Sequence, residues 1–356
     1  MVLVVHSSAK NRPAVTPAEL GFRMPAEWEP HAATWLSWPR PEGISFPGIY
    51  DRIPPVFAAM VRAISPHEKV HINVWDETME VEARSVLNDH DALNEKVYFH
   101  HFQAYEPWMR DHGPLFIVNE SSRAVTDWGY NAWGEKYPPF DLENQIPGQI
   151  AKLRSLVRFD PKMILEGGSI DVNGCGTLIT TESCLLNPNR NPNLSKNEIE
   201  QRLCNYLGVR NILWLEAGIA GDHTDGHVDD IARFIDPNTV ITAIEHDRAD
   251  NNFDPLKKNL KRLHSMRDQD DEPLRIIELP MPAPLLRDGE RLPASYANYY
   301  VTNGSVLVPI YCDANDTKAI AVLEKLFPDR EIIGIDSTDL AWGFGSFHCL
   351  TMQEPE

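Results

Sequence analysis

Basic side chains are scarce beside acidic ones: 33 Lys and Arg against 52 Asp and Glu leave a formal net charge of −19 over 356 residues. Nucleic acids and anionic membrane surfaces require a basic footprint, so both are excluded as partners, whereas a small cationic ligand suits this balance. Cysteine is also sparse. The five thiols, at 175, 184, 204, 312 and 349, show no paired zinc-type spacing, and an odd number in a large chain does not read as a disulfide framework. Each is therefore core filling or a nucleophile. No apolar run reaches the ~20 residues that a membrane-spanning helix needs. The run Met1 to Val5 is too short for a signal peptide. These absences predict a soluble, cytoplasmic protein. No linker rich in Gly and Ser interrupts the chain, so a single domain over 1–356 is expected, with residues 1–20 as a polar leader.

What is present is enough apolar sequence for a substantial core, 42% of residues, arranged in a recurring order. An opening stretch reads as strand 33–38, a helix begun by Pro54-Pro55, strand 70–74, helix 77–88 and strand 97–101. Residues 115–118 and 124–128 form a hairpin. Further on, hairpins with Asn or Gly at their turns (164–172 with 178–181, 231–235 with 240–244, 299–302 with 306–310) are each followed by a helix and a closing strand. Ser195 with Glu198 makes a capping box for a helix that ends at Gly208, and Asp254-Pro255 is expected to cap the helix carrying Leu256, Leu260 and Leu263. Hairpin, helix and strand thus recur at intervals of roughly 60 to 70 residues, a period suited to blades around an axis. The expected class is α/β, built as a pseudo-symmetric ring.

A polar motif lies between each closing strand and the next hairpin: 108–113, 166–169, 226–230, 295–298 and 345–349. In a closed ring, equivalent positions fall at one end of the axis, so these motifs would meet in one pocket. His227 and Asp229, read as alternating residues of a strand, face the same side. By the same alternation His348 faces away from Cys349. Asp111 and Asp229 facing one another imply a metal or a cationic ligand between them. A planar guanidinium fits two carboxylates through forked donors, and Trp108 would supply an apolar or cation–π wall. Cys349 is a candidate nucleophile and His227 a proton carrier. A metal site remains open as an alternative, because residues 222–230 hold two His and four Asp, although their spacing matches no helix-borne metal motif.

Six stretches carry a resemblance: Met24 to Pro30, Trp108 to Asp111, Leu165 to Ser169, Leu186 to Pro192, Gly226 to Asp229, and His348 to Thr351. Together they closely resemble the agmatine deiminase family, which includes bacterial-type peptidylarginine deiminases, over residues 21 to 355. The resemblance implies a five-bladed α/β propeller and a metal-independent, cofactor-free hydrolase. It implies that Cys349 attacks the guanidinium carbon, that Asp111 and Asp229 hold its nitrogens, and that His227 protonates the departing ammonia and then activates water. Glu166, Trp108 and Asn298 match positions lining the family's pocket. For agmatine the product would be N-carbamoylputrescine. Free arginine or a peptidyl arginine as substrate, amidino transfer to an amine, and a guanidine- or metal-binding protein without turnover are the competing expectations. Residues 127–136 contain no arginine to clamp a substrate carboxylate, which favours agmatine. Two positions depart from the family pattern, namely His223, where an acidic residue is usual before Thr, and the approach to the cysteine, Gly343 to Phe347. A homo-oligomer is compatible with all of this.

Overall fold

A computed structural model describes residues 15–356; the first fourteen, including most of the polar leader and the run Met1 to Val5, lie outside the described residues. The fold is mixed α/β with several small sheets. Four of them share one wiring, an antiparallel pair whose second strand is extended by a parallel third. They are Leu115–Val118, Arg123–Thr126 and Val157–Phe159; Ile170–Val172, Thr177–Thr181 and Asn211–Leu215; Ala232–Asp236, Thr239–Ile244 and Arg275–Pro280; and Tyr300–Val301, Ser305–Ile310 and Glu331–Asp336. A parallel pair cannot be joined by a tight turn, so each second strand reaches its third through a helix. These crossover helices are Ile146–Arg154, Lys196–Leu207, Phe253–Ser265 and Asp316–Leu326.

A fifth sheet completes the pattern with strands from the two ends of the described chain, and a two-stranded ribbon, Leu286–Arg287 with Glu290–Arg291, stands outside it. His31–Ser37 pairs antiparallel with Thr351–Pro355 and parallel with Lys69–Asn73, reached through Ile53–Ile64. Val97–His100 adds a fourth strand. The last strand of the chain therefore serves as the hairpin partner of the first.

Local chemistry accounts for most of these boundaries. Ser195 and Glu198 form the expected reciprocal capping box, and Gly208 ends that helix with φ +68°, a conformation that costs glycine nothing. Ile199, Leu203 and Leu207 on its inner face are almost wholly buried, a contribution of roughly 1.5–3 kcal/mol for each side chain. Two expectations are corrected. The helix expected to begin at Asp254-Pro255 begins at Phe253, with Asn252 at its N-cap making no side-chain cap, because Asn252 Oδ1 instead accepts from the Ala220 amide at 2.7 Å. Strand structure begins only at Ile170 in the stretch 164–172, because Gly167–Ser169 is a 3-10 turn.

That turn belongs to a series. Immediately before the first strand of each hairpin the chain makes one short helical turn: Met109–His112, Gly167–Ser169, Val228–Asp230, Tyr296–Asn298 and Phe347–Leu350. Each turn packs against the next, and the last packs against the first. The motif His227 to Asp229, expected on a strand, is thus the N-cap and first residues of a 3-10 turn, and Cys349 lies in a helical turn, not a strand. A run of apolar and polar residues this short fits either conformation; the ring of turns selects the helical one.

Candidate active site

All seven predicted site residues sit on or beside these five turns. Asp111 is on the first, preceded by Trp108; Glu166 precedes the second; His227 and Asp229 belong to the third; Asn298 is on the fourth; Cys349 is on the fifth. A narrow cleft opens over them, lined by Trp108, Asp111 and Cys349 below and by Trp133, Tyr137, His223 and Phe344 towards its mouth. Glu166, His227, Asp229 and Asn298 lie fully buried behind that lining.

Asn298 sets the thiol. Its Oδ1 accepts from the amides of His348 at 3.1 Å and Cys349 at 3.3 Å, while its Nδ2 donates to Cys349 Sγ at 3.1 Å and to Asp230 Oδ1 at 3.0 Å. The Sγ also lies 3.5 Å from Asp229 Oδ2. Burial, reinforced by the carboxylates of Asp229, Asp230 and Asp111, pushes the Cys349 thiol well above its ordinary range.

Asp111 is held from two sides, with Oδ2 accepting from Trp133 Nε1 at 3.0 Å and Oδ1 from the Gly168 amide at 3.2 Å. Burial raises its carboxyl to about 6, with Asp229 and Glu166 adding to the rise. Trp133 reaches Asp111 from an unusual turn: Ala132, Trp133, Gly134 and Glu135 all have φ between +50° and +87°. A left-handed turn costs roughly 1–2 kcal/mol per L-residue, and such strain concentrates at functional sites. Asn131 offsets part of it by accepting from the Gly134 amide at 2.9 Å. Gly168 is required by space. A Cβ there would stand 2.6 Å from His227 Nδ1, 2.9 Å from Asp111 Oδ1 and 3.0 Å from Asp229 Oδ2.

Several buried polar atoms have no partner: both ring nitrogens of His227, Glu166 Oε2 and Asp229 Oδ1. Burial alone would lower the basicity of His227, yet Asp111, whose Oδ1 is 3.6 Å from Nδ1, then the neighbouring Cys184 sulfur, and last Glu166 hold it well above its ordinary range. Glu166 is fixed by Arg190, whose Nε donates to Oε1 at 2.6 Å. Unsatisfied acceptors at this depth are rare in folded proteins and mark a place where a ligand supplies the missing donors.

Sequence reasoning missed other parts of the site. His348 does not face away from Cys349's surroundings: in a helical turn neighbouring side chains are 100° apart, and its Nδ1 lies 2.7 Å from Asp229 Oδ2. Its Nε2 lies 2.8 Å from Glu27 Oε2. Cys184 was read as filler, and it is fully buried; with Glu166 and His227 it places three potential ligand atoms within 4.8 Å of one another. That group shares only His227 with the 222–230 run. The run itself disperses, with Asp222 bonded to Thr224, Asp225 to Lys136, Asn189 and Arg190, and Asp230 to Asn298. At the mouth, His223 stacks on Phe344 with ring centroids 3.8 Å apart and bonds through Nδ1 to the Tyr137 hydroxyl. A pairing so distant in sequence leaves no local signal.

The model of the Porphyromonas-type peptidyl-arginine deiminase family matches residues 23–355. The agmatine deiminase of Pseudomonas aeruginosa is 36% identical over 97% of this chain and 98% of its own. Among solved structures, the agmatine deiminase of Enterococcus faecalis superposes with a TM-score of 0.91 at 33% identity, covering 98% of this chain and 100% of that one. The agmatine deiminase of C. jejuni with substrate bound gives 0.85 at 32% identity, covering 94% and 96%. The chain belongs to the agmatine deiminase and Porphyromonas-type peptidyl-arginine deiminase family. The fold is thus that of a family whose named members act on guanidino groups.

Proposed function

We propose that the protein hydrolyses agmatine to N-carbamoylputrescine and ammonia, within a single catalytic domain built as a five-bladed α/β propeller closed by its two chain ends. The observation that carries the reading is the set of unpartnered buried atoms around the thiol: two carboxylate oxygens and both nitrogens of one imidazole. A guanidinium has five N–H donors in one plane, which are the donors that the two carboxylate oxygens lack, while the unpartnered imidazole is left free to carry a proton. Asp111 and Asp229 would bind the two terminal nitrogens, with Glu166 behind them, and Trp108 would flank the group.

The electrostatics order the steps. Guanidinium entry brings the charge that lets the Cys349 thiol release its proton to solvent through the cleft and persist as the thiolate. Sγ then bonds to the guanidinium carbon, and a C–N bond breaks as His227 delivers a proton to the departing ammonia. This leaves a thiouronium on Cys349. His227 next takes a proton from water, the oxygen bonds to the same carbon, and collapse expels the thiolate and leaves the ureido product. No step needs a metal or a redox partner.

Agmatine is favoured over arginine because the described residues lining the cleft include neither Arg nor Lys. An arginine substrate would bring a carboxylate with nothing to neutralise it. Lys136, near the mouth, has its Nζ bonded to the His223 carbonyl and to Asp225, both at 2.7 Å.

The test is incubation of the purified protein with agmatine, free arginine and an arginine peptide, scored for ureido product. Turnover of agmatine well above the other two is expected; no ureido product from any of them overturns the reading. Cys349→Ala should lose several orders of magnitude in kcat, since groups that act as one covalent unit fail together.

A further inference from the structure

Below the thiol lies a chain of buried charges of which the proposed function above uses only Asp229. Glu27, His348 and Asp229 run in line, with His348 bridging Glu27 Oε2 at 2.8 Å and Asp229 Oδ2 at 2.7 Å. Glu27 is anchored in turn: Arg233 Nη2 donates to the same Oε2 at 2.7 Å, Arg110 Nη2 stands 3.5 Å from it, and the Val301 amide donates to Oε1 at 2.8 Å. Arg233 also binds Asp171 at 2.6 Å, and Arg110 binds the His348 carbonyl at 3.2 Å. All these side chains are at least nine-tenths buried.

We propose that His348 is a positioning residue for the reaction: by bonding Glu27 and Asp229 through its two ring nitrogens, it holds one oxygen of Asp229 and leaves the other as the fixed acceptor for the substrate guanidinium. The hydrogen bonds require this form of the ring. Each nitrogen faces a carboxylate oxygen, and a carboxylate that stays ionised only accepts, so the proposed bridge calls for a donor at both nitrogens. The charges then balance, with Glu27, Asp229 and Asp171 against Arg110, Arg233 and the imidazolium. A neutral side chain at 348 would leave one buried carboxylate uncompensated beside the thiol. Asp229 Oδ2 is also the oxygen 3.5 Å from Cys349 Sγ. His348 thus holds the carboxylate that must bind the guanidinium without drawing a proton from, or giving one to, the sulfur beside it.

This inference rests on the guanidine reading, and three measurements separate the two. Wild-type turnover of agmatine tests that reading alone. His348→Gln keeps one donor of the two, and Glu27→Gln keeps an acceptor for His348 without the charge. For His348→Gln, kcat/KM for agmatine should fall by roughly 10- to 100-fold, the loss that follows from weakening one charge-assisted hydrogen bond, and the rise in KM should carry a substantial part of it. Glu27→Gln should fall by less, because His348 still bonds Asp229. A purely structural role predicts lowered thermal stability with kcat and KM of the folded fraction within about twofold of wild type, and that result overturns the proposal. Should His348→Gln fail to fold, nitrogen-15 NMR of the wild-type histidines decides: both His348 nitrogens must be protonated at pH 7, and a neutral tautomer there overturns the proposal equally.

Discussion

His227 Nδ1 stands 3.6 Å from Asp111 Oδ1, and neither nitrogen of that fully buried imidazole has a hydrogen-bond partner. The pair is close enough to share charge and too far apart to satisfy it. The gap is held open from behind by Gly168, whose Cα backs onto both side chains and Asp229. A site with this geometry leaves its carboxylate oxygens open to a ligand's donors and its imidazole free to pass a proton.

Gly168→Ala tests that arrangement without touching a charged group. The added methyl would enter the space between His227, Asp111 and Asp229, all within 3.0 Å of it. Displacing reacting groups by about 1 Å can cost 100-fold, so kcat/KM of the folded protein should drop by about that factor, beside a loss of stability of about 1–3 kcal/mol from overpacking. Steady-state kinetics with agmatine check it; activity within about threefold of wild type would show that the three side chains do not meet as described.

Substrate binding should weaken as pH falls through the neighbourhood of 6. Burial raises the Asp111 carboxyl from 3.8 to about 6, so the folded protein retains a proton there that the unfolded chain has lost. Between these two values the folded state binds more protons than the unfolded one. The Asp111 contribution to the stability of the ligand-free protein therefore declines as pH rises across that window, and a bound cation restores it. KM for agmatine should rise steeply below pH 6, and the shift in Tm produced by agmatine should grow between pH 5 and 7. A flat KM across that range would remove Asp111 from the binding role.

Arg190→Ala should be costly to stability. The Arg190 and Glu166 side chains are fully buried and joined at 2.6 Å, and a second carboxylate, Asp225, lies 2.7 Å from the same guanidinium. Removing one member of such a pair leaves an uncompensated charge and costs about 3–5 kcal/mol. Urea denaturation measures it; a change under about 1 kcal/mol would mean that Glu166 takes up a proton or water relieves it.

His223→Asp should sharpen selection for a substrate whose far end is cationic. The imidazole stacks on Phe344 at the cleft mouth, and burial followed by the nearby Lys136 lowers its basicity, so it meets a ligand uncharged. A carboxylate there would attract the agmatine ammonium, lowering its KM by a few-fold to about tenfold at low salt. An alkylguanidine of equal length without the amine should gain nothing. Equal effects on both compounds would place His223 outside the reach of the substrate's far end.

Much of the fold was legible because its signals are local. Proline at a helix start, the Ser195 and Glu198 box, Gly208 at a C-cap and the hairpin turns each depend on a few neighbouring residues and basic sterics. Their recurrence placed the motifs at equivalent positions, and the seven predicted site residues do gather around one cleft. The errors at the site share a cause. Alternation along a strand was applied to His227, Asp229, His348 and Cys349, whose segments are too short for any periodicity to distinguish a strand from a single helical turn.

The amino-acid sequence by itself determined which chemical groups the site holds and the order in which the chain delivers them, since composition and short-range backbone preferences need no partner to act. Only the tertiary structure decided how those groups face one another. His348 joins Glu27 to Asp229, Trp133 crosses to Asp111, and His223 lies against Phe344 because sheets and turns remote in the chain pack into a ring. Hydrogen bonds and desolvation depend on that packing, and they turn a thiol, an imidazole and several carboxylates into a site for a planar cation.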